Sequence, residues 1–210
     1  MHHLRGLIDA ITAGQQYADI ATTVLRGLWP VVVDQFSIKS GPPPGKGAII
    51  LGMGSLGAQR LNARSDLDLI VIYDADGVEF SEGRKQLATR TYYARLTQAM
   101  VTALSAPMAE GKLYEVDMRL RPSGNQGPVA TSIASFKDYQ TSAAWTWEHL
   151  ALTRARPIAG PIGLQDDIES FRRELIAGAQ DVQKIFDDTA AMREKIEEAK
   201  GQGDEWDAKL

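Results

Sequence analysis

The chain lacks the residues that several classes of functional site require. None of its 210 residues is cysteine, which excludes disulfides, thiolate metal sites and a cysteine nucleophile. His149 is the single histidine outside the N-terminal His2-His3 pair, so the sequence offers no multi-histidine metal centre. It also has no signal peptide and no apolar run long enough to cross a bilayer. Together these absences predict a cytoplasmic location.

Positive charge is scarce as well. The 23 lysines and arginines are outnumbered by 27 acidic residues, giving a net charge of −4 and a pI near 5.4. Long nucleic acids are bound largely through many basic contacts to phosphate, so we expect no nucleic-acid partner. A small nucleotide remains compatible because a few local arginines suffice. Hydrophobic residues make up 44% of the chain, which allows a substantial core.

Composition along the chain suggests three parts. Residues 1–46 are predicted to be an N-terminal helical segment followed by a linker rich in proline and glycine. Helical spacing covers residues 4–37, and Pro30 is predicted to mark a break or a new first turn. Residues 47–160 are predicted to be the α/β core. Residues 161–210 are predicted to be a helical extension of two helices.

Within the core, hydrophobic periodicity predicts alternating strands and helices. The predicted elements are a strand over 48–51, a glycine turn opening a helix of about two turns at 52–57, a strand over 66–73, a helix over 81–104 with a core stripe of Tyr92, Leu96, Met100 and Leu104, a strand over 113–121 and a helix over 132–156.

Two acidic residues open the predicted strand that follows the glycine turn. Asp66 and Asp68 stand at alternate positions, which places both carboxylates on one face with their Cα atoms about 7 Å apart. One divalent cation can bridge carboxylates placed in this way. The structural alternative is that Asp66 and Asp68 only cap the end of a strand and bind no metal.

A third acid lies in the predicted strand over 113–121. Its alternation puts Glu115, Asp117, Arg119 and Arg121 on one face. If this strand neighbours the strand of Asp66 and Asp68, three carboxylates meet beside two guanidinium groups. Such a set suits Mg²⁺-assisted chemistry on a nucleoside triphosphate.

The expected roles follow from the residue types. The predicted metal ligands and catalytic carboxylates are Asp66, Asp68 and Asp117. Asp117 is also a candidate acceptor for the proton of the attacking hydroxyl. Gly54 and Ser55 would approach the triphosphate through backbone amides. The guanidinium groups of Arg119 and Arg121 suit the charge on a leaving pyrophosphate.

Gly52, Gly54 and Gly57 also satisfy the G-x-G-x-x-G pattern of dinucleotide-binding folds. Against this alternative, eight residues between Gly57 and Asp66 leave little room for a crossover helix. A dinucleotide-binding oxidoreductase and a catalytically silent nucleotide-sensing module are the two hypotheses from other classes.

Four motifs resemble one known family, the bifunctional glutamine synthetase adenylyltransferase and deadenylylase. They are Gly52-Met53-Gly54-Ser55-Leu56-Gly57, Ser65-Asp66-Leu67-Asp68-Leu69, Val116-Asp117-Met118-Arg119-Leu120-Arg121-Pro122-Ser123-Gly124, and the stretch from Trp145-Thr146-Trp147-Glu148-His149-Leu150 to Arg154-Ala155-Arg156. We interpret the two tryptophans as packing anchors. The third and fourth motifs look more like the C-terminal, adenylylating half of the family.

The resemblance implies an α+β nucleotidyltransferase fold of the polymerase-beta type, a mixed sheet flanked by helices with helical segments at both ends. It implies Mg²⁺-dependent transfer of AMP from ATP to a tyrosine hydroxyl of glutamine synthetase, which regulates nitrogen assimilation. The deadenylylating half would instead carry out phosphorolysis of adenylyl-tyrosine to give ADP. Family members are far longer and respond to a PII-type signalling protein, so this chain is expected to be a fragment with one catalytic core and a truncated C-terminal extension.

Overall fold

The computed structural model describes residues 5–178 and 182–200. Helices and strands alternate through most of this part of the chain. They are α1 (Ala10–Ser40), β1 (Gly47–Gly52), α2 (Gly54–Gly57), β2 (Leu67–Asp74), α3 (Thr89–Ser105), β3 (Val116–Asp117), β4 (Ala130–Ser132), α4 (Ile133–Ser142), α5 (Thr146–Leu152), β5 (Arg156–Ala159), α6 (Ile162–Ala177) and α7 (Val182–Lys200).

The five strands form one mixed sheet in the order β3-β2-β1-β5, with β4 also paired to β2. Strands β1 and β2 are antiparallel from Gly47↔Asp74 to Gly52↔Leu69, whereas β3 and β4 run parallel to β2. The predicted mixed sheet is therefore confirmed, and the strands that carry Asp68 and Asp117 are neighbours, as the three-acid hypothesis requires. The dinucleotide-binding alternative is wrong, because that fold requires a parallel βαβ unit around its glycine turn.

Helices cover both faces of the sheet. Strand β1 is buried along its whole length; Ile50 belongs to the apolar cluster that contains α1 and α3, whereas Ile49 belongs to the cluster that contains α4, α5 and α6. The predicted stripe on α3 is confirmed, because Tyr92, Leu96, Met100 and Leu104 are all buried.

The predicted break at Pro30 is wrong, since α1 continues through this residue to Ser40. A proline inside a helix loses one backbone hydrogen bond and costs about 3 kcal/mol. Leu25 and Trp29 are buried beside it, and this packing offsets the cost. The helix begins later than predicted because Asp9 caps it, accepting a hydrogen bond from the Thr12 amide at 2.7 Å.

Three other predicted boundaries also differ from the structure. The segment before Thr89 forms a folded-back loop, in which the Ser81 amide donates to the Leu87 carbonyl, so α3 begins eight residues later than predicted. The helix at the glycine turn has one turn instead of two. The single helix predicted over 132–156 is α4, α5 and the start of β5, because pairing with β1 takes the end of this segment into the sheet.

Both predicted C-terminal helices are present as α6 and α7. Residues 201–210, which belong to the predicted extension, lie outside the described residues. The three-part division of the chain stays a prediction. In the part of the chain that the structure describes, no helix is long and apolar enough to cross a membrane.

Candidate active site

The glycine turn between β1 and β2 brings three chain segments into close contact. A side-chain carbon at Gly52 would overlap the Ile158 side chain, and one at Gly57 would overlap the Arg154 carbonyl oxygen. Gly54 has a positive φ of 51°, and a side-chain carbon there would overlap the carboxylate of Asp68. The G-x-G-x-x-G spacing thus reflects backbone packing around an acidic residue.

Asp68 is held directly against this turn. It is the second residue of β2, and its carbonyl oxygen accepts a hydrogen bond from the Met53 amide at 2.9 Å. In the neighbouring strand its register partner is Asp117. Because adjacent strands lie about 4.8 Å apart, the fold brings together two of the predicted metal ligands, Asp68 and Asp117, from distant parts of the chain.

Asp66 lies just outside the strand that was predicted to contain it, since β2 begins at Leu67. Asp66 is exposed, but its negative charge interacts with the carboxylate of Asp68. Burial raises the pKa of the Asp68 carboxyl, and the negative charges of Asp117 and Asp66 raise it further. The three acids therefore form one electrostatic group, with Asp68 at its least solvated position.

Asp117 is held by its neighbour Arg119. The Arg119 Nε donates to both carboxylate oxygens, at 3.1 and 2.8 Å, Nη2 donates to Oδ2 at 2.5 Å, and the Arg119 amide donates to Oδ1 at 2.8 Å. These hydrogen bonds hold the pKa of Asp117 below its usual range. Two acids in register thus have pKa values shifted in opposite directions.

The strand predicted over 113–121 is much shorter, since β3 contains only Val116 and Asp117. Beyond it the chain turns, and the Arg121 amide donates to the Met118 carbonyl at 3.3 Å. Arg121 is buried, and its guanidinium group donates to the carbonyls of Met118 and Gly127. The expected single face is therefore not formed: Arg119 reaches Asp117, whereas Arg121 braces the loop.

Gly54 and Ser55 are the first two residues of α2. The first amides of a helix have no partner within the helix, so this turn presents donors next to the Asp68 carboxylate. Ser55 is half-buried, and its carbonyl accepts a hydrogen bond from the Arg60 amide at 2.8 Å. This placement is compatible with the predicted approach of backbone to phosphate.

The acidic side chains of the site offer oxygen ligands to a divalent cation. Carboxylate oxygens are the ligands that Mg²⁺ prefers, and Asp68 and Asp117 are neighbours whose mutual repulsion a cation would relieve. Among the described residues, however, no three acidic or histidine side chains are arranged closely enough to hold a metal ion in this conformation. The carboxylates of Asp68 and Asp117 have the right chemistry for the cation. In this conformation, however, the Asp117 carboxylate accepts hydrogen bonds from Arg119.

From the sequence, Arg154 could equally line the cleft or form a structural ion pair with Glu148. In the structure its positive charge acts on Asp68. It precedes β5, whose first residue Arg156 pairs with Gly52, so pairing of β5 with β1 carries it to the site. Arg154 and Arg156 also line a cavity of about 460 Å³ beside α2, together with Arg172 and Arg173 of α6. The repeated arginines of the Arg154-Ala155-Arg156 motif were the one available signal.

The aromatic motif at the start of α5 is only partly buried. Trp145 and Trp147 are exposed, with 69% and 39% of their surface accessible, so their interpretation as packing anchors is wrong for the described residues. Glu148 is the buried member of the motif and accepts hydrogen bonds from the Tyr139 hydroxyl and the Trp145 amide. The His149 ring is hydrogen-bonded to the Gln140 carbonyl at 2.8 Å. These contacts join α4 to α5.

Comparison with known proteins gives one consistent result. A family described as glutamate-ammonia ligase adenylyltransferase matches residues 1–170 of the chain. Three similar curated proteins, from Mesorhizobium japonicum, Brucella suis and Agrobacterium fabrum, are 46%, 48% and 45% identical to the chain over 208 residues. Each is named bifunctional glutamine synthetase adenylyltransferase/adenylyl-removing enzyme.

These alignments cover 99% of the chain but 21% of each relative. The chain thus spans about a fifth of the length of the curated relatives it matches. The aligned region contains the glycine turn, both acid-bearing strands and the Arg154 segment of this chain.

Proposed function

Because the chain belongs to the glutamate-ammonia ligase adenylyltransferase family, we propose that it carries one nucleotidyltransferase core that moves AMP from ATP to a tyrosine hydroxyl of glutamine synthetase. The observation that supports this most is the register pairing of Asp68 with Asp117 beside the glycine turn. Mixed-sheet topology removes the oxidoreductase alternative, and membership of an enzyme family weighs against a silent sensor.

Asp68 and Asp117, with Asp66 at the edge, are the residues that would hold Mg²⁺. Bound there, the cation would neutralise charge on the phosphate oxygens and on the leaving pyrophosphate. The amides at Gly54 and Ser55 would bind phosphate oxygens, because the first amides of a helix have no partner within it and Gly54 has no side chain to block the approach. Arg119 would bind phosphate through its planar fork. Arg121 would act indirectly, by holding the loop that follows β3.

The proposed reaction is an in-line displacement at the α-phosphorus. The tyrosine oxygen forms a bond to phosphorus, the bond from phosphorus to the β-phosphate oxygen breaks, and pyrophosphate leaves. The hydroxyl proton passes to a nearby base, for which Asp117 is the candidate. While Arg119 donates to it, Asp117 is a poor proton acceptor, because its pKa is held below the usual range.

The same residues could act in the opposite sense, since one site stabilises an in-line transfer in both directions. The name of the relatives includes adenylyl removal, so the second candidate is phosphorolysis of adenylyl-tyrosine to give ADP. We favour adenylylation because the Glu115-Val116-Asp117 strand and the Trp145 to His149 motif resemble that half of the family. A PII-type signalling protein is a further partner that we propose for the full-length protein on resemblance alone.

The test supplies the purified chain with Mg²⁺, ATP labelled at the α-phosphate and unmodified glutamine synthetase. A parallel reaction supplies AMP-modified glutamine synthetase with inorganic phosphate. Label on glutamine synthetase, with pyrophosphate release, is the expected result. ADP formed only from the modified protein would assign the opposite reaction, and no product in either reaction, using folded protein, would contradict the proposal for this chain.

A further inference from the structure

The Asp117 carboxylate has a cation beside it that belongs to the chain itself. Arg119 uses its guanidinium group and its own amide on the two carboxylate oxygens, through four donor contacts of 2.5–3.1 Å. Its charge also interacts with Asp68 and Asp66. The Arg119 guanidinium therefore interacts electrostatically with all three acidic residues, where a divalent cation is proposed to bind.

Arg119 is the solvent-exposed partner in this contact. Its side chain is 73% exposed, whereas the Asp117 side chain that it contacts is 17% exposed. Arg121, two residues later, is buried and donates to two backbone carbonyls. Of these two arginines, only Arg119 can exchange its partner without disturbing the loop after β3.

We infer that Arg119 is an exchangeable counter-ion, which occupies Asp117 in the absence of metal and transfers to the nucleotide phosphates when the metal takes the carboxylate. This inference rests on the proposed function. A guanidinium group binds carboxylate and phosphate through the same fork, so phosphate can replace the contact that Arg119 gives up. Metal and Arg119 compete for one acid, and nucleotide relieves the competition.

This arrangement couples metal binding to nucleotide binding, because each ligand favours the state in which Arg119 has left Asp117. It also gives substitution of Arg119 two effects of opposite sign. Loss of the guanidinium should tighten binding of metal alone, since the competitor is gone, and weaken binding of nucleotide, since a phosphate partner is gone. An arginine that only supports Asp117 would, when removed, weaken both.

The experiment measures binding rather than catalysis. Mn²⁺ binding without nucleotide is followed by the loss of the free-ion paramagnetic resonance signal, in the unmodified chain and in Arg119→Gln and Arg119→Lys. Binding of α,β-methylene-ATP is measured by calorimetry at saturating Mn²⁺. In this analogue a methylene group replaces the oxygen between the α- and β-phosphorus atoms, so pyrophosphate cannot leave. Circular dichroism confirms that each variant is folded, and Arg119→Lys supplies the milder change if Arg119→Gln unfolds.

Arg64→Gln is the matched control, because it removes the same charge from an exposed residue close in sequence to Asp66. In the described residues, the hydrogen bond at Arg64 is made by its amide to Asn62, not by its guanidinium to a carboxylate. A pure charge effect would change Mn²⁺ affinity equally in the Arg64 and Arg119 variants.

The expected result is Mn²⁺ binding about two- to fivefold tighter in Arg119→Gln, in line with the modest strength of an exposed ion pair. Arg119→Lys should be intermediate, and Arg64→Gln should match the unmodified chain. Nucleotide binding should weaken roughly tenfold in Arg119→Gln. Unchanged or weaker Mn²⁺ binding in that variant, or unchanged nucleotide binding, would overturn the inference while leaving the proposed function intact. Failure of the unmodified chain to bind either ligand would overturn both.

Discussion

The two strands that supply the acids are built very differently. Strand β2 has eight residues, most of them buried, and pairs with β1 over six consecutive positions. Strand β3 has two half-buried residues and two pairs, both with β2. Asp68 therefore takes its position from the core of the sheet, whereas Asp117 takes its position from an edge and from Arg119. The site has one half fixed by the fold and one half that can adjust.

The contrast extends to the chemistry of the two carboxyls. Burial raises the pKa of Asp68, while the hydrogen bonds from Arg119 lower that of Asp117. Cation binding would benefit both residues, by relieving repulsion at Asp68 and by replacing a hydrogen-bonded partner at Asp117. One acid is fixed by the sheet, and the other has an exchangeable counter-ion. Together they would allow the metal site to assemble only when its ligands are present.

The largest effect is expected from Asp68→Asn, in the fixed half. Loss of a proposed anionic metal ligand should remove several kcal/mol of transition-state stabilisation and lower the rate of the proposed AMP transfer roughly 10³-fold. Thermal stability should be unchanged or higher, because the charged form of Asp68 is disfavoured by its surroundings. Asp76→Asn, in an exposed turn beside Lys46, is the control. Full activity of Asp68→Asn would remove Asp68 from the mechanism.

Gly54→Ala tests how closely the fixed half is packed. The new methyl group would overlap the Asp68 carboxylate, and the positive φ at this position strains an alanine by about 1–2 kcal/mol. We expect lower stability in urea unfolding and at least about tenfold weaker activity, because the carboxylate must shift.

Gly27→Ala is the matched control for that substitution. Gly27 lies inside α1 with open space around it, so alanine should stabilise the helix by up to about 1 kcal/mol. Equal behaviour of the two variants would contradict the close packing of Gly54 against Asp68.

Hydrogen exchange should separate the two halves by a smaller factor. The Leu67 amide donates to the Glu115 carbonyl at 2.9 Å and reports on the edge strand. We expect it to exchange about tenfold or more faster than the protected amides of β1, because short edge elements open locally without unfolding the core. Equal protection, measured by NMR, would mean that β3 is as firmly held as β1.

The smallest effect concerns pH. Because Asp117 has a lowered pKa when folded, it stabilises the protein above its unfolded pKa of about 3.9, and this contribution is lost as pH falls through the folded pKa. Arg119→Gln should raise the Asp117 pKa, so its stability deficit should be present at neutral pH and disappear in acid. Carboxyl NMR titration gives the direct measurement, and an Asp117 that titrates above Asp68 in the unmodified chain would contradict the contrast.

The fixed half of the site was accessible from sequence. The apolar run after Asp68 predicts a central strand, the glycines predict a tight turn, and the alternation around Asp117 predicts a neighbouring strand. These signals are local or depend on burial, which leaves a clear pattern in residue type. The pairing of Asp68 with Asp117 follows once the two strands are adjacent.

The adjustable half was not accessible in the same way. Alternation over 113–121 predicts a long strand, but the chain turns after two residues, where the Arg121 guanidinium donates to the carbonyls of Met118 and Gly127. Side-chain to backbone contacts of this kind leave no periodic signal. Strand β5 was missed for a related reason, since its pairing with β1 is set by tertiary contacts, as is the continuation of α1 through Pro30.

The most direct test of the central claim is a crystal structure with Mn²⁺ and α,β-methylene-ATP, with the metal located by its anomalous scattering. The account predicts a metal coordinated by oxygens of both Asp68 and Asp117, adjacent to the phosphates, with Arg119 moved from Asp117 onto the nucleotide. A metal bound elsewhere, or held by Asp68 alone while Arg119 remains on Asp117, would contradict it.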